Sequence, residues 1–122
     1  MMPRTLCATL GLAMFLTLAS GALGHAFLDH ATPAVGSAVR AAPAAVRIWF
    51  SEELEPAFST IKILDAKGNV IASSDKAVDA SDRKLLRLPV PPLPPGTYRV
   101  VWRVVSVDTH VTEGDFTFSV AP

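Results

Sequence analysis

The chain has 122 residues, half of them hydrophobic, with 11 basic and 11 acidic side chains and a formal net charge of zero at pH 7. Such balanced, interspersed charge provides no general attraction for nucleic acid or for an anionic membrane surface, so neither is expected as a partner. A single cysteine excludes a disulfide framework within the chain. The fold is therefore expected to depend on the packing of an apolar core.

Residues 1–24 have the features of a secretory signal peptide rather than of a folded segment. Arg4 supplies the positive charge near the start, and the apolar run from Leu6 to Leu18 is too short to span a bilayer comfortably. Ala22 and Gly24 are small residues at the two positions that a signal peptidase requires. Cleavage is expected after Gly24, with cleavage after Ala22 as the alternative.

Cleavage after Gly24 leaves one domain, residues 25–122, that begins with His25. All three methionines and the single cysteine precede this point, whereas the three histidines, His25, His30 and His110, follow it. The exported domain thus offers imidazole and carboxylate groups to a metal ion but no sulfur ligand.

Several short stretches alternate apolar and polar residues and are separated by Pro, Gly, Asp and Asn, which predicts strands that bury one face. After a first strand around His30, the predicted strands are 46–50, 61–65, 70–72, 85–88, 97–105 and 114–120. Gly and Asn in 66–69 predict a hairpin turn, and the polar stretch 73–83 and the proline-rich run 91–96 are predicted connections. No convincing amphipathic helix is present in residues 25–122.

Alternate residues of the predicted strands are expected to fill one core. The inward set is Val46, Ile48, Phe50, Tyr98, Val100, Trp102, Val104, Phe116, Phe118 and Val120. Trp49 is expected on the outer face or near an edge, and Val105 on the face opposite to Val104. Roughly six or seven strands at about ten-residue spacing predict an all-β fold, an antiparallel immunoglobulin-like sandwich with Greek-key connections.

His25 is expected to become a chelating residue because cleavage frees its amino group. An internal histidine offers one imidazole nitrogen to a metal ion, whereas an N-terminal histidine offers its amine and its Nδ1 together, which close a chelate ring. Asp108 and His110 follow the longest predicted strand, and in an extended segment residues two apart project to the same face. The predicted donors are one amine nitrogen, two imidazole nitrogens and one carboxylate oxygen.

This donor set favours Cu(II), which prefers tetragonal nitrogen and oxygen ligands and binds most tightly among the divalent first-row ions. Cu(I) prefers sulfur ligands, which residues 25–122 do not contain. Zn(II) accepts similar donors but prefers a tetrahedron, so it is the principal alternative. Each histidine also has a plainer interpretation as a surface polar residue, and an Asp-x-His triplet alone is a weak signal.

Taken together, the sequence resembles the CopC-type periplasmic copper-binding proteins over essentially all of residues 25–122. The matching segments are His25-Ala26, Ala31-Thr32-Pro33-Ala34, Gly36-Ser37, Phe50-Ser51-Glu52, Pro95-Gly96-Thr97-Tyr98, Val101-Trp102-Arg103-Val104-Val105-Ser106, Asp108-Thr109-His110 and Gly114-Asp115-Phe116-Thr117-Phe118. The combination is specific, although no single segment is.

The resemblance implies a seven-stranded Greek-key β-sandwich or barrel that binds one Cu(II) per chain through His25, Asp108 and His110. It also implies a periplasmic copper carrier or buffer in copper homeostasis, resistance or uptake, rather than an enzyme. The expected partner is an inner-membrane copper transporter of the CopD type, and the protein is expected to be a monomer.

The chain departs from the family pattern at two places. Many relatives carry a histidine two residues after the first, where this chain has Phe27, and relatives with a Cu(I) site use a methionine-rich loop after the position of Glu53. Only the Cu(II) site is therefore expected here. His30 is predicted to be exposed or hydrogen-bonded rather than a ligand. Glu52 is either a hydrogen-bond partner of the site or a solvated carboxylate.

Two other functions remain open at this stage. An N-terminal histidine chelate also occurs in copper monooxygenases that cleave polysaccharides, although the Asp108 carboxylate would take a position that oxygen activation needs open. A metal-free immunoglobulin-like adhesion or scaffold module, with His25 and His110 incidental, is the other alternative.

Overall fold

The structure, a computed structural model, describes residues 25–122, so the predicted signal peptide and its cleavage site lie outside the described residues. Eight strands occupy the described part: β1 Leu28–Thr32, β2 Ala38–Val39, β3 Ala45–Phe50, β4 Thr60–Leu64, β5 Val70–Ser74, β6 Leu85–Pro89, β7 Gly96–Val105 and β8 Val111–Val120. In residues 25–122 the helical content is the single 3-10 turn Pro56–Phe58. No helix in this range has the length and apolar character needed to span a membrane.

The strands form two open sheets that pack face to face. One has the order β1-β3-β6 and the other the order β2-β8-β7-β4-β5. The chain changes sheet at every connection except those between β4 and β5 and between β7 and β8, as expected for Greek-key connections. The predicted all-β sandwich is confirmed, and it is a sandwich rather than a closed barrel.

The core lies between the two sheets and contains every residue of the predicted inward set. Val105, predicted on the face opposite to Val104, is buried at the end of β7 without being part of the core cluster. Trp49 lies on the outer face, as predicted, but in the middle strand of its sheet rather than near an edge. There its indole ring stacks on the imidazole of His30, with ring centroids 4.5 Å apart.

The hairpin formed by β7 and β8 is the longest paired unit, and it carries the candidate site at its turn. Ten residue pairs join the strands, from Gly96 opposite Val120 to Val105 opposite Val111. β8 therefore begins three residues before the predicted start at Gly114. Gly114 lies inside the strand opposite Trp102, and the position suits glycine because a Cβ there would lie 2.3 Å from Cζ2 of Trp102.

The short strand β2 was not predicted. Its two residues pair in parallel with Ser119 and Val120 of β8, which is otherwise an antiparallel partner of β7. Two residues are too few for an alternating pattern to stand out in the sequence. β2 therefore pairs with the C-terminal end of β8 and not with its N-terminal end, which lies next to His110.

Candidate metal site

Asp108 and His110 lie in the turn that joins β7 to β8. The expectation of an extended segment was wrong: residues 107–109 form a turn, and Thr109 has a left-handed φ of 74°. Backbone hydrogen bonds close the turn, from Thr109 N to Ser106 O at 2.8 Å and from Ser106 N to His110 O at 3.0 Å. The turn brings the two side chains together, with His110 Nδ1 3.4 Å from Asp108 Oδ1.

The hydroxyl of Ser106 holds this turn from the inside. Ser106 is fully buried, and its Oγ donates a short hydrogen bond of 2.5 Å to Asp108 Oδ1. The same Oγ accepts a hydrogen bond from the backbone N–H of His110 at 3.3 Å. The Ser106 hydroxyl, and to a smaller extent His110, holds the pKa of Asp108 below its usual value. Asp108 is therefore ionised near neutral pH, as a metal ligand must be.

His25 lies at the same end of the sandwich, although it is the first described residue of the chain. The next residue, Ala26, is fully buried and anchors the segment in the core. Ser51, which follows β3, accepts a hydrogen bond from Phe27 N at 2.9 Å and donates one to His25 O at 3.3 Å. Ser51 N also donates to Phe27 O at 2.8 Å. These contacts set the backbone of His25 while its side chain stays at the surface.

The rings of His25 and His110 are neighbours in space, although 84 positions separate them in the sequence. Their centroids lie 4.6 Å apart with an interplanar angle of 42°. The side chains of Asp108 and His110 are about half exposed, at 47% and 46%. The structure thus gathers all three predicted ligands into one accessible cluster: His25 beside His110, and His110 beside Asp108.

The cluster is not preassembled around an ion. No three His, Cys, Asp or Glu side chains among residues 25–122 are already arranged to hold a metal ion. The two imidazole rings contact each other, and Asp108 Oδ1 faces Ser106. In the full-length chain the nitrogen of His25 is also a peptide nitrogen, because Gly24 precedes it. Imidazole nitrogens and a carboxylate oxygen are donors of the kind that Cu(II) accepts.

His30 lies away from this cluster. It is exposed, it stacks on Trp49, and its Nδ1 is 2.7 Å from Asp29 Oδ2. The structure therefore agrees with its assignment as an exposed, hydrogen-bonded residue. Glu52 is partly buried next to Ser51.

Sequence reasoning did not identify Ser51 and Ser106 as residues of the site. Both belong to the segments that carry the family resemblance, Phe50-Ser51-Glu52 and Val105-Ser106, which is the signal that could have found them. Their role shows only in the structure, because each hydroxyl contacts a segment whose position depends on the fold.

Comparison with known proteins gives consistent matches. The profile of the CopC domain matches residues 28–121 and so begins three residues after His25. Protein YobA of Escherichia coli K12 is 45% identical over 97 residues, which cover 79% of this chain and 78% of that protein. Copper resistance protein C of Pseudomonas syringae pv. tomato is 39% identical over 123 residues, covering 96% of each chain. The crystal structure of CopC from Methylosinus trichosporium OB3b matches with a TM-score of 0.72 and 38% identity, over 80% of this chain and 95% of that chain.

Proposed function

The chain belongs to the CopC family, and we propose that its exported form binds one Cu(II) ion through His25, Asp108 and His110. It is a copper-binding protein of copper homeostasis or resistance, in keeping with relatives that are named copper resistance proteins. The observation that carries the site assignment is the 4.6 Å separation of the His25 and His110 rings. Two exposed imidazoles that are neighbours in space can both donate to one metal ion.

Cleavage after Gly24 completes the donor set. The new amino group and Nδ1 of His25 close a chelate ring, while His110 supplies a second imidazole and Asp108 a carboxylate. Hydrogen bonds to Ser51 already fix the His25 backbone beside the β7–β8 turn, so the new amine forms next to the other donors. Nitrogen and oxygen donors without sulfur suit Cu(II) better than Cu(I).

The position of the cluster fits a carrier or buffer in the periplasm better than a store. Half of the Asp108 and His110 side-chain surface is exposed, so a receiving protein can reach the metal ion directly. The partner we propose is an inner-membrane copper transporter of the CopD type. A monomer is supported by the charged outer face of the larger sheet, where Arg99 pairs with Asp115 at 2.7 Å and Arg103 with Glu113 at 3.2 Å.

Copper affinity should fall as the pH falls, because protons compete for the same nitrogens. Each of these donors must lose its proton before it can bind. Copper is therefore expected to be released in mild acid. Competition with a chelator, measured from pH 8 to pH 5.5, tests this.

The deciding experiment compares two purified proteins that differ by one residue at the start. One begins at His25, and the other begins at Gly24, which leaves the His25 nitrogen in a peptide bond. Cu(II) affinity and the electron paramagnetic resonance spectrum are recorded for both, together with His110→Ala and a control, His30→Ala. We expect strong binding only when His25 is first and His110 is present, with His30→Ala unchanged. Equal binding by the two proteins would contradict the proposal.

Mass spectrometry of the exported protein tests the cleavage site itself. A mature mass that begins at His25 is expected. A mass that corresponds to a protein beginning at Leu23, after cleavage at Ala22, would mean that the chelating terminus is not formed and would contradict the assignment.

A further inference from the structure

We infer that Ser106 is a positioning residue for copper: its buried hydroxyl fixes Asp108 and the backbone of His110 in the geometry that the ion requires. This inference rests on the proposed function. Ser106 does not itself contact the ion.

The hydrogen bonds of Ser106 lead to both candidate ligands in the turn. A serine hydroxyl has one proton to donate and two lone pairs that accept. The proton goes to Asp108 Oδ1 at 2.5 Å, and Oγ accepts from His110 N at 3.3 Å. One hydroxyl therefore links the carboxylate of one ligand to the backbone of the other.

The location of Ser106 makes its hydroxyl a rigid support. Ser106 is fully buried and directly follows β7, and a β-bridge joins it to Leu54. The Asp108 and His110 side chains that it supports are half exposed and can otherwise rotate in solvent. Because Asp108 Oδ1 is held toward Ser106, the carboxylate has a defined orientation before copper arrives. Groups that orient metal ligands in this way typically account for a 10- to 100-fold difference in affinity.

Ser59 provides a matched control within the same chain. It is also fully buried, and its Oγ accepts a hydrogen bond from Val105 N at 3.2 Å, one residue before Ser106. Removing either hydroxyl deletes a buried hydrogen bond at the same end of β7. Only the Ser106 hydroxyl is bonded to Asp108. If Ser106 had a purely structural role, Ser106→Ala and Ser59→Ala would change Cu(II) affinity and the electron paramagnetic resonance spectrum to the same extent.

The test uses proteins that begin at His25, with Cu(II) itself as the probe. Affinity from chelator competition, the electron paramagnetic resonance spectrum and urea unfolding are measured for the unsubstituted protein, Ser106→Ala and Ser59→Ala. We expect both variants to lose stability, but only Ser106→Ala to bind copper about 10- to 100-fold more weakly and to change the spectrum. An unchanged affinity and spectrum for Ser106→Ala, or the same loss for Ser59→Ala, would overturn the inference.

A second variant keeps the test decisive if Ser106→Ala fails to fold. Ser106→Thr retains the hydroxyl and adds one methyl group in a buried position, so the variant is expected to lose stability through crowding. Its electron paramagnetic resonance spectrum with Cu(II) is expected to match that of the unsubstituted protein. A folded Ser106→Thr protein with more than tenfold weaker binding would count against the inference.

Failure of the inference and failure of the proposed function give different results. If binding depends on the free His25 terminus and on His110 but is indifferent to Ser106→Ala, the copper site stands and the positioning role is wrong. If binding is indifferent to the His25 terminus and to His110→Ala, the proposed site itself is wrong.

Discussion

Among the glycines of residues 25–122, Gly114 is the one expected to meet a neighbouring side chain if a Cβ is added, because the ring of Trp102 occupies the space that the Cβ would need. A Cβ at this position would lie 2.3 Å from Cζ2, 2.8 Å from Cη2 and 2.9 Å from Cε2 of Trp102. Carbon atoms normally approach to about 3.5 to 4.0 Å. The overlap with Cζ2 therefore exceeds an ångström, and one of the two strands or the indole must move.

The indole has little freedom to move. Trp102 is 7% exposed, and its ring packs edge-on against Phe50 of the opposite sheet with centroids 5.0 Å apart. Overpacking a core by one methyl group typically costs about 1–3 kcal/mol, and contacts this short place Gly114→Ala near the upper end. Replacing a strand glycine returns about 0.5–1 kcal/mol through backbone entropy. The net loss is about 2 kcal/mol, or about 8–16 °C in Tm for a domain of this size.

The assay is thermal and urea unfolding of residues 25–122, followed by circular dichroism, for Gly114→Ala, Trp102→Phe and the double variant. Phenylalanine lacks the outer indole atoms that the new methyl group would meet. The Trp102→Phe background should therefore tolerate Gly114→Ala with little further loss. An equal loss in both backgrounds, or a Gly114→Ala protein as stable as the unsubstituted one, would refute the steric explanation.

Three further predictions concern the β7–β8 turn, the segment that begins at His25 and the polar connection 73–83. Thr109→Gly should stabilise the protein by about 0.5 kcal/mol in urea unfolding, because relief of left-handed strain of about 1–2 kcal/mol exceeds the entropy cost of glycine; a destabilised variant would contradict this. Ser51→Ala should weaken Cu(II) binding in chelator competition by releasing the His25 backbone, and unchanged affinity would show that Ala26 alone anchors the segment. Asp79 accepts hydrogen bonds from the hydroxyl and N–H of Ser81, which hold its pKa below the usual value. Its contribution to stability is present above the unfolded pKa of about 3.9 and is lost as the pH falls through the lower folded pKa. Urea unfolding from pH 5 to pH 2 should therefore depend less on pH for Asp79→Asn, and an identical slope would count against the assignment.

Much of the fold could be predicted because strand periodicity is a local property. The alternation in 46–50 and 97–105 identified the inward residues correctly, since successive side chains in any strand point to opposite faces. Errors occurred where a neighbour decided the outcome. The start of β8 was predicted three residues too late, although residues 111–113 pair with β7, and the two-residue strand β2 was missed because it is defined only by its pairing with β8.

The candidate ligands chosen from the sequence lie close together in the fold, but for a geometric reason that differs in part from the predicted one. Asp108 and His110 come together through a tight turn with Thr109 in a left-handed conformation, not through an extended segment. The two serines that support the site, exposed Ser51 and buried Ser106, could not be recognised by residue type, because serine is common in loops and strands alike. Ser51 and Ser106 acquire their role from what the fold places beside them.

The sequence by itself determined the residue chemistry: a predicted terminus at His25, an Asp-x-His triplet and no sulfur in residues 25–122. These are properties of the residues and of their order, so no folding is needed to read them. Only the tertiary structure decided that His25 and His110 lie in contact and that Ser106 bonds to Asp108. The pairing of β1 with β3 sets the first segment, and the β7–β8 hairpin sets the turn. Contacts of this kind depend on the packing of two sheets, which no local pattern specifies.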